Sequence, residues 1–228
     1  YDVNVLCSQP TYAARGSFAP WREVRNGVRI ERCPGTTFDK DVLVPRLVNV
    51  ITISLSLFLR ALSRIRKSDV VIAVTNPPLL PFLVEIACRL RSANYILRID
   101  DVYPEALTAT GLARPDSTMV RVLARMTRRL YRSVGQIIVV GRDMERLARE
   151  KLGGTAKQIS VIPNWADVAL VTPVPKTDNA LLHELGLVDR FVVQCAGNMG
   201  RAQGVENMYL LKNLGRYVVS QDAPMGCC

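Results

Sequence analysis

Three glycines, an arginine and two amide side chains stand together in Gly197-Asn198-Met199-Gly200-Arg201-Ala202-Gln203-Gly204, directly after the apolar run Phe191–Ala196. A glycine-rich turn between a strand and a helix lets backbone N–H groups approach a phosphate, and the helix start adds partial positive charge. Arg201 can add a charge-assisted hydrogen bond. The spacing departs from the G-x-G-x-x-G dinucleotide fingerprint, so a plain strand–helix turn stands beside the phosphate reading. Other chemistries find less support. The six cysteines, Cys7, Cys33, Cys88, Cys195, Cys227 and Cys228, include no C-x-x-C pair, and His183 is the only histidine. A metal cluster is therefore not expected, nor a Ser–His–Asp or Cys–His arrangement around a histidine that reads as exposed on a short helix, Asp178–Leu185.

These residues need elements to hold them. Strand-like runs fall at Val3–Ser8, Val28–Cys33, Asp69–Thr75, Asn94–Ile99, Gln136–Val140, Ile159–Ile162 and Phe191–Ala196. Helix-like stretches lie between them, at Leu47–Lys67, Leu79–Arg91, Ser117–Ser133 and Asp143–Leu152. Runs such as Val70–Val74 and Ile137–Val140 are continuously apolar, as expected of parallel strands buried on both faces. The alternation predicts an α/β fold with a doubly wound, Rossmann-like parallel sheet.

In Ser117–Ser133, Met119, Leu123, Met126, Leu130 and Val134 predict the core-facing stripe. Arg121, Arg125, Arg128 and Arg132 form a second stripe on roughly the opposite side. A solvated helix face, an anionic lipid surface and nucleic acid are its three readings, the last lacking any accompanying binding motif.

The 228 residues are 49% hydrophobic and 22% charged, with a net charge of +10. That composition is globular, and the positive excess points to an anionic partner. The longest uncharged apolar run, Leu47–Leu59, has 13 residues, short of the ~20 that span a bilayer. A soluble or membrane-peripheral protein of a reducing compartment is expected.

Several segments together resemble the family 4 glycosyltransferases, in the branch that builds bacterial capsule, O-antigen and exopolysaccharide units. They are Thr75-Asn76-Pro77-Pro78, Asp101-Val102-Tyr103-Pro104-Glu105, Val140-Gly141-Arg142-Asp143-Met144, Val161-Ile162-Pro163-Asn164-Trp165-Ala166-Asp167 and Cys195–Gly204. The resemblance implies two Rossmann-like domains of the GT-B architecture and a retaining transfer. The sugar would pass from a nucleotide-diphospho-sugar, UDP-linked, to a lipid-linked saccharide, with no cofactor and no metal. It places Gly197, Asn198, Gly200, Arg201, Gln203 and Gly204 against the donor diphosphate, although relatives carry a basic pair where Asn198 and Gln203 stand here. It places Asp101 at a strand end facing the transferred sugar; an N-cap before the turn at Val102 is the structural alternative. It sets Asn76, Tyr103, Glu105, Gly141 and Arg142 along the acceptor cleft, where Pro77-Pro78 would equally well stop a strand and start a helix. Location at the inner face of the cell membrane follows, with the apolar helix near Leu47–Leu59 and the stripe of Arg121, Arg125, Arg128 and Arg132 holding the protein to anionic lipid.

The expected organisation is an acceptor-side domain at 1–168 lacking its first strand, a linker at 169–190 and the opening of a donor-side domain at 191–228. After Met208 the resemblance fades. A shifted reading frame or a C-terminal dicysteine lipidation signal is the alternative account of the tail to Cys228. The family's paired donor-binding glutamates would lie beyond it. A non-catalytic remnant, or an acceptor-binding half needing a partner chain, is thus the alternative to an enzyme.

Overall fold

The computed structural model describes residues 2–10, 18–39 and 42–192, the side chain of Leu43 aside. Of the expected strand at Phe191–Ala196 only Phe191 and Val192 are described, without strand structure; its remainder and the loop at Gly197–Gly204 lie outside the described residues.

The chain divides into two units, Tyr1–Pro163 and Asn164–Cys228. In the first, four parallel strands run in the order β4 (Val70–Val74), β5 (Asn94–Ile99), β6 (Gln136–Val139), β7 (Gln158–Val161). Each crossover is helical: α2 (Leu80–Arg91), then the short α3 (Glu105–Ala109) with α4 (Thr118–Ser133), then α5 (Arg142–Leu152). Period-two alternation sends Leu97, Ile99, Ile137 and Val139 to one face of the sheet, where all four are fully buried. They meet Val84 and Cys88 of α2, Leu130, Tyr131 and Val134 around α4, and Ala148 and Leu152 of α5. Truncating Leu97 to Ala would cost about 2–5 kcal/mol. The Tyr95 hydroxyl donates to the Pro81 carbonyl across 3.1 Å and ties β5 to α2. Burial also pushes the Cys88 thiol up to about 11, so it packs as a neutral apolar group. Gly153, at φ +59°, closes α5 in the left-handed conformation that glycine adopts without strain.

A second sheet pairs β1 (Asn4–Cys7) in parallel with β3 (Val28–Arg32), and β3 in antiparallel with β2 (Arg22–Arg25). Charged residues fill most of β2, which hides it from a hydrophobicity reading. The signal that finds it is Asn26-Gly27, both at positive φ, the pair a tight hairpin turn demands.

Three expectations are corrected. Val70 and Ile72 of β4 are exposed, so among the described residues this strand is buried on one face only. On α4, Met119 and Met126 are 55% and 44% exposed, and the inward positions are Val120, Thr127, Leu130, Tyr131 and Val134. Leu130 and Val134 are thus buried as expected, while Met119 and Met126 give way to their neighbours Val120 and Thr127, because packing on α2 and α5 takes the side that also buries the large Tyr131 ring. The third concerns α1 (Leu43–Arg64), which is 22 residues long. It continues past the uncharged run through Arg46 at one end and Arg60 at the other. By length and composition it could cross a membrane.

Residues 161–175 are exposed throughout. In the second unit, α6 (Ala180–Glu184) is capped by Asn179, whose side chain accepts from the Leu182 N–H. His183 is exposed on this helix, as expected.

Candidate functional site

Parallel strands bring their C-terminal ends to one edge, where backbone N–H groups and loop side chains converge. Thr75 and Asn76 follow β4, Asp101 and Tyr103 follow β5, and Gly141 and Arg142 follow β6. The sheet therefore gathers along one edge the residues that the sequence had scattered over 67 positions.

Thr75 is the pin. It is buried, and its Oγ1 accepts from the backbone N–H of Asp100 at 3.1 Å and of Asp101 at 2.9 Å. One hydroxyl thus fixes the exit of β5 against the end of β4. Asp100 is engaged by Arg98 Nε at 3.0 Å. The Asp101 carboxylate, by contrast, is exposed and has no hydrogen-bond partner among the described residues. The alternative N-cap role is not taken, since the N-cap of α3 is Pro104, without a side-chain cap.

Tyr103 is half-buried. Burial pushes its hydroxyl above the usual tyrosine range, and the Asp101 charge adds to this while Arg46 of α1 opposes it. Its carbonyl accepts from Lys151 Nζ at 3.1 Å. The same ammonium donates to both Glu105 oxygens at 2.7 Å, with its side chain only 9% exposed. Glu105 thus reaches this edge already paired, and the pair braces the β5–α3 loop on α5. Gly141 lies within reach of the Asp143 carboxylate: a Cβ there would come 2.6 Å from Oδ1. With Asp143 and Glu145 in the first turn of α5, acidic charge already complements that helix start. Arg142 and Asn76 are exposed. Asn76–Pro77 and Tyr103–Pro104 are cis peptides.

Beneath this edge lies a cavity of about 20 Å³, lined among others by Thr75, Phe82, Asp101, Tyr103 and Thr127. The Thr127 hydroxyl is buried there without a partner among the described residues. A larger concavity of about 620 Å³ runs beside Arg149 and Gly154–Gln158, at the opposite end of the strands. Its charged lining is engaged: Lys157 Nζ donates to the Arg132 and Val134 carbonyls, and Arg149 pairs with Glu145.

Thr75, Lys151 and Arg46 were not visible as site residues. Thr75 had a usable signal, a hydroxyl at the last position of an apolar strand. Lys151 had none, because it stands 46 residues from Glu105 along the chain. The α4 arginines Arg121, Arg125, Arg128 and Arg132 are all exposed. None makes an ion pair among the described residues.

A helix-flanked parallel sheet with these residues at its strand ends is the framework of a Rossmann-like glycosyltransferase domain. The chain belongs to the glycosyl transferase 4-like domain family, whose model matches residues 1–165. It is also 36% identical over 146 residues to the probable glycosyltransferase WbjE of Pseudomonas aeruginosa. That match covers 64% of this chain and 36% of the relative.

Proposed function

We propose that the protein supplies the acceptor side of a retaining glycosyltransferase that moves a sugar from a nucleotide-diphospho-sugar, UDP-linked, to a lipid-linked saccharide. Synthesis of a cell-surface polysaccharide at the inner face of the cell membrane is the setting that fits this chemistry. The observation that carries the reading is the Asp101 carboxylate, pinned through its backbone to Thr75 and otherwise unengaged. At a strand end it can accept a hydrogen bond from a sugar hydroxyl or stabilise positive charge that develops at the sugar carbon. Tyr103, Asn76, Gly141 and Arg142 flank it as acceptor contacts. The leaving diphosphate would lie against Gly197, Asn198, Gly200, Arg201, Gln203 and Gly204, in a donor-side domain that opens at 191. The exposed, acid-free arginine face of α4 would attract anionic lipid and concentrate the protein near its acceptor.

A second reading is an acceptor-binding half that works with a partner chain holding the donor, favoured by the strand-end residues Asn76, Asp101, Tyr103 and Gly141 all lying within the family-matched segment, residues 1–165.

Binding and transfer measured in parallel separate the two. The protein is titrated with a detergent-dispersed polyprenyl-diphospho-saccharide while radiolabel from UDP-sugars is followed into the lipid phase. Transfer, lowered about 10²-fold or more in Asp101→Asn, supports the enzyme. Acceptor binding without transfer supports the half that needs a partner. Binding of neither ligand overturns both.

A further inference from the structure

The outward side of α1 carries Val44, Leu47, Ile51, Leu55 and Leu59, each between 49% and 68% exposed. Steps of three and four residues align them in one stripe, roughly 22 Å long at 1.5 Å per residue. Only 17% of the apolar window of this helix is buried. Its other side is committed: Ser54, Leu57 and Ala61 are buried, and the helix packs on α2 and β1. An uninterrupted aliphatic stripe of this size is uncommon on a protein that meets only water.

We propose that this stripe seats the protein in the interfacial layer of an anionic phospholipid bilayer. In that arrangement α1 lies in the membrane plane with its aliphatic side chains among the acyl chains. The proposal deepens the membrane part of the function given above and rests on it, assigning the apolar contact to α1 and its depth to the interfacial layer.

Charge complementarity selects lipid as the occupant. Arginines close both ends of the stripe, Arg46 at one and Arg60 with Arg64 at the other, and α1 contains no acidic residue. Arg60 and Arg64 share Glu31. The Arg46 guanidinium has no hydrogen bond or ion pair among the described residues. The Arg46 stem can therefore lie along the apolar surface while its head reaches phosphate. Phe38, 55% exposed, is held beside the helix by Asn49, whose Oδ1 accepts from the Phe38 N–H at 3.0 Å and whose Nδ2 donates to its carbonyl at 2.8 Å. An aromatic ring at that level suits the headgroup boundary. Because the inward side is packed on protein, the helix lies on the membrane and does not cross it. The Arg46 charge also acts on Tyr103 of the strand-end site.

The test is flotation with phosphatidylcholine vesicles, with and without phosphatidylglycerol, at low and high salt. The wild type should bind the anionic vesicles and keep a salt-resistant fraction. Leu47→Glu/Ile51→Glu/Leu55→Glu should lower the partition coefficient about 100-fold, with an unchanged circular dichroism spectrum because all three side chains are exposed. Leu55→Trp should be quenched by lipids brominated on the acyl chain. If the triple variant floats like the wild type while Arg125→Glu/Arg128→Glu does not, the α1 seat is overturned and the membrane reading stands. Failure of the wild type to bind any vesicle overturns both. Absence of quenching, together with a dimer that the triple variant converts to monomer, assigns the stripe to a second copy and overturns the lipid seat.

Discussion

At the end of β4 a single hydroxyl oxygen serves two backbone donors, and that economy makes Thr75 sensitive. Thr75→Val keeps the shape but leaves the Asp100 and Asp101 N–H groups without their acceptor. Unfolding free energy should fall by about 1–3 kcal/mol, read by denaturant titration, and Thr75→Ser should recover most of it. Acceptor binding should weaken in Val and return in Ser, because the loop that carries Asp101 is loosened and then pinned again. Thr127 shows the reverse case. Its buried hydroxyl has no partner among the described residues, so Thr127→Val should raise the thermal midpoint, an effect of about 1 kcal/mol.

Between elements, Glu31 is the joint that ties β3 to β2 and α1. Arg22, Arg60 and Arg64 approach its carboxylate at 3.1, 3.3 and 2.9 Å. Burial alone would raise this carboxyl. Hydrogen bonds from Arg22 and Arg64, with the charges of Arg60 and Arg64, together outweigh burial and hold it below the ordinary carboxylate range. A lowered folded value means that the unfolded chain takes up the proton first as acid is added. The contribution is therefore complete above the ordinary carboxylate value and is lost as pH falls through the lowered one. Glu31→Gln should flatten that acid limb in thermal melts recorded at successive pH values, and should lower stability at neutral pH by about 1 kcal/mol, the solvent-screened loss of a carboxylate shared by three guanidinium groups. A wild-type acid limb identical to that of the variant would refute the joint.

For the whole molecule, a charge of +10 and an acid-free arginine face on α4 make long-range attraction to anionic lipid a salt-dependent quantity. Arg121→Glu/Arg125→Glu/Arg128→Glu should remove most of the salt-sensitive part of vesicle binding while sparing the salt-resistant part. Flotation across an ionic-strength series measures both. Local pattern carried much of the architecture. Asn94–Ile99 was legible to the residue, and the other long strands and helices to within a few positions, because periodicity and β-branched runs are properties of neighbours in the chain. The strand-end positions of Asn76, Asp101 and Gly141 followed from the same pattern together with the family resemblance. What tertiary structure alone decided was which side of each helix met the sheet and which distant groups met each other. On α4 two overlapping apolar stripes were available, and only packing against α2 and α5 chose the one with Tyr131. Lys151 found Glu105, and Thr75 found the Asp101 backbone, through crossovers whose geometry no local spacing encodes. The sequence alone determined the parallel α/β framework and the residues at its strand ends. The fold decided which of those residues are paired and which, like Asp101, remain open to a ligand, because pairing depends on contacts between segments that only the assembled sheet brings within hydrogen-bonding distance.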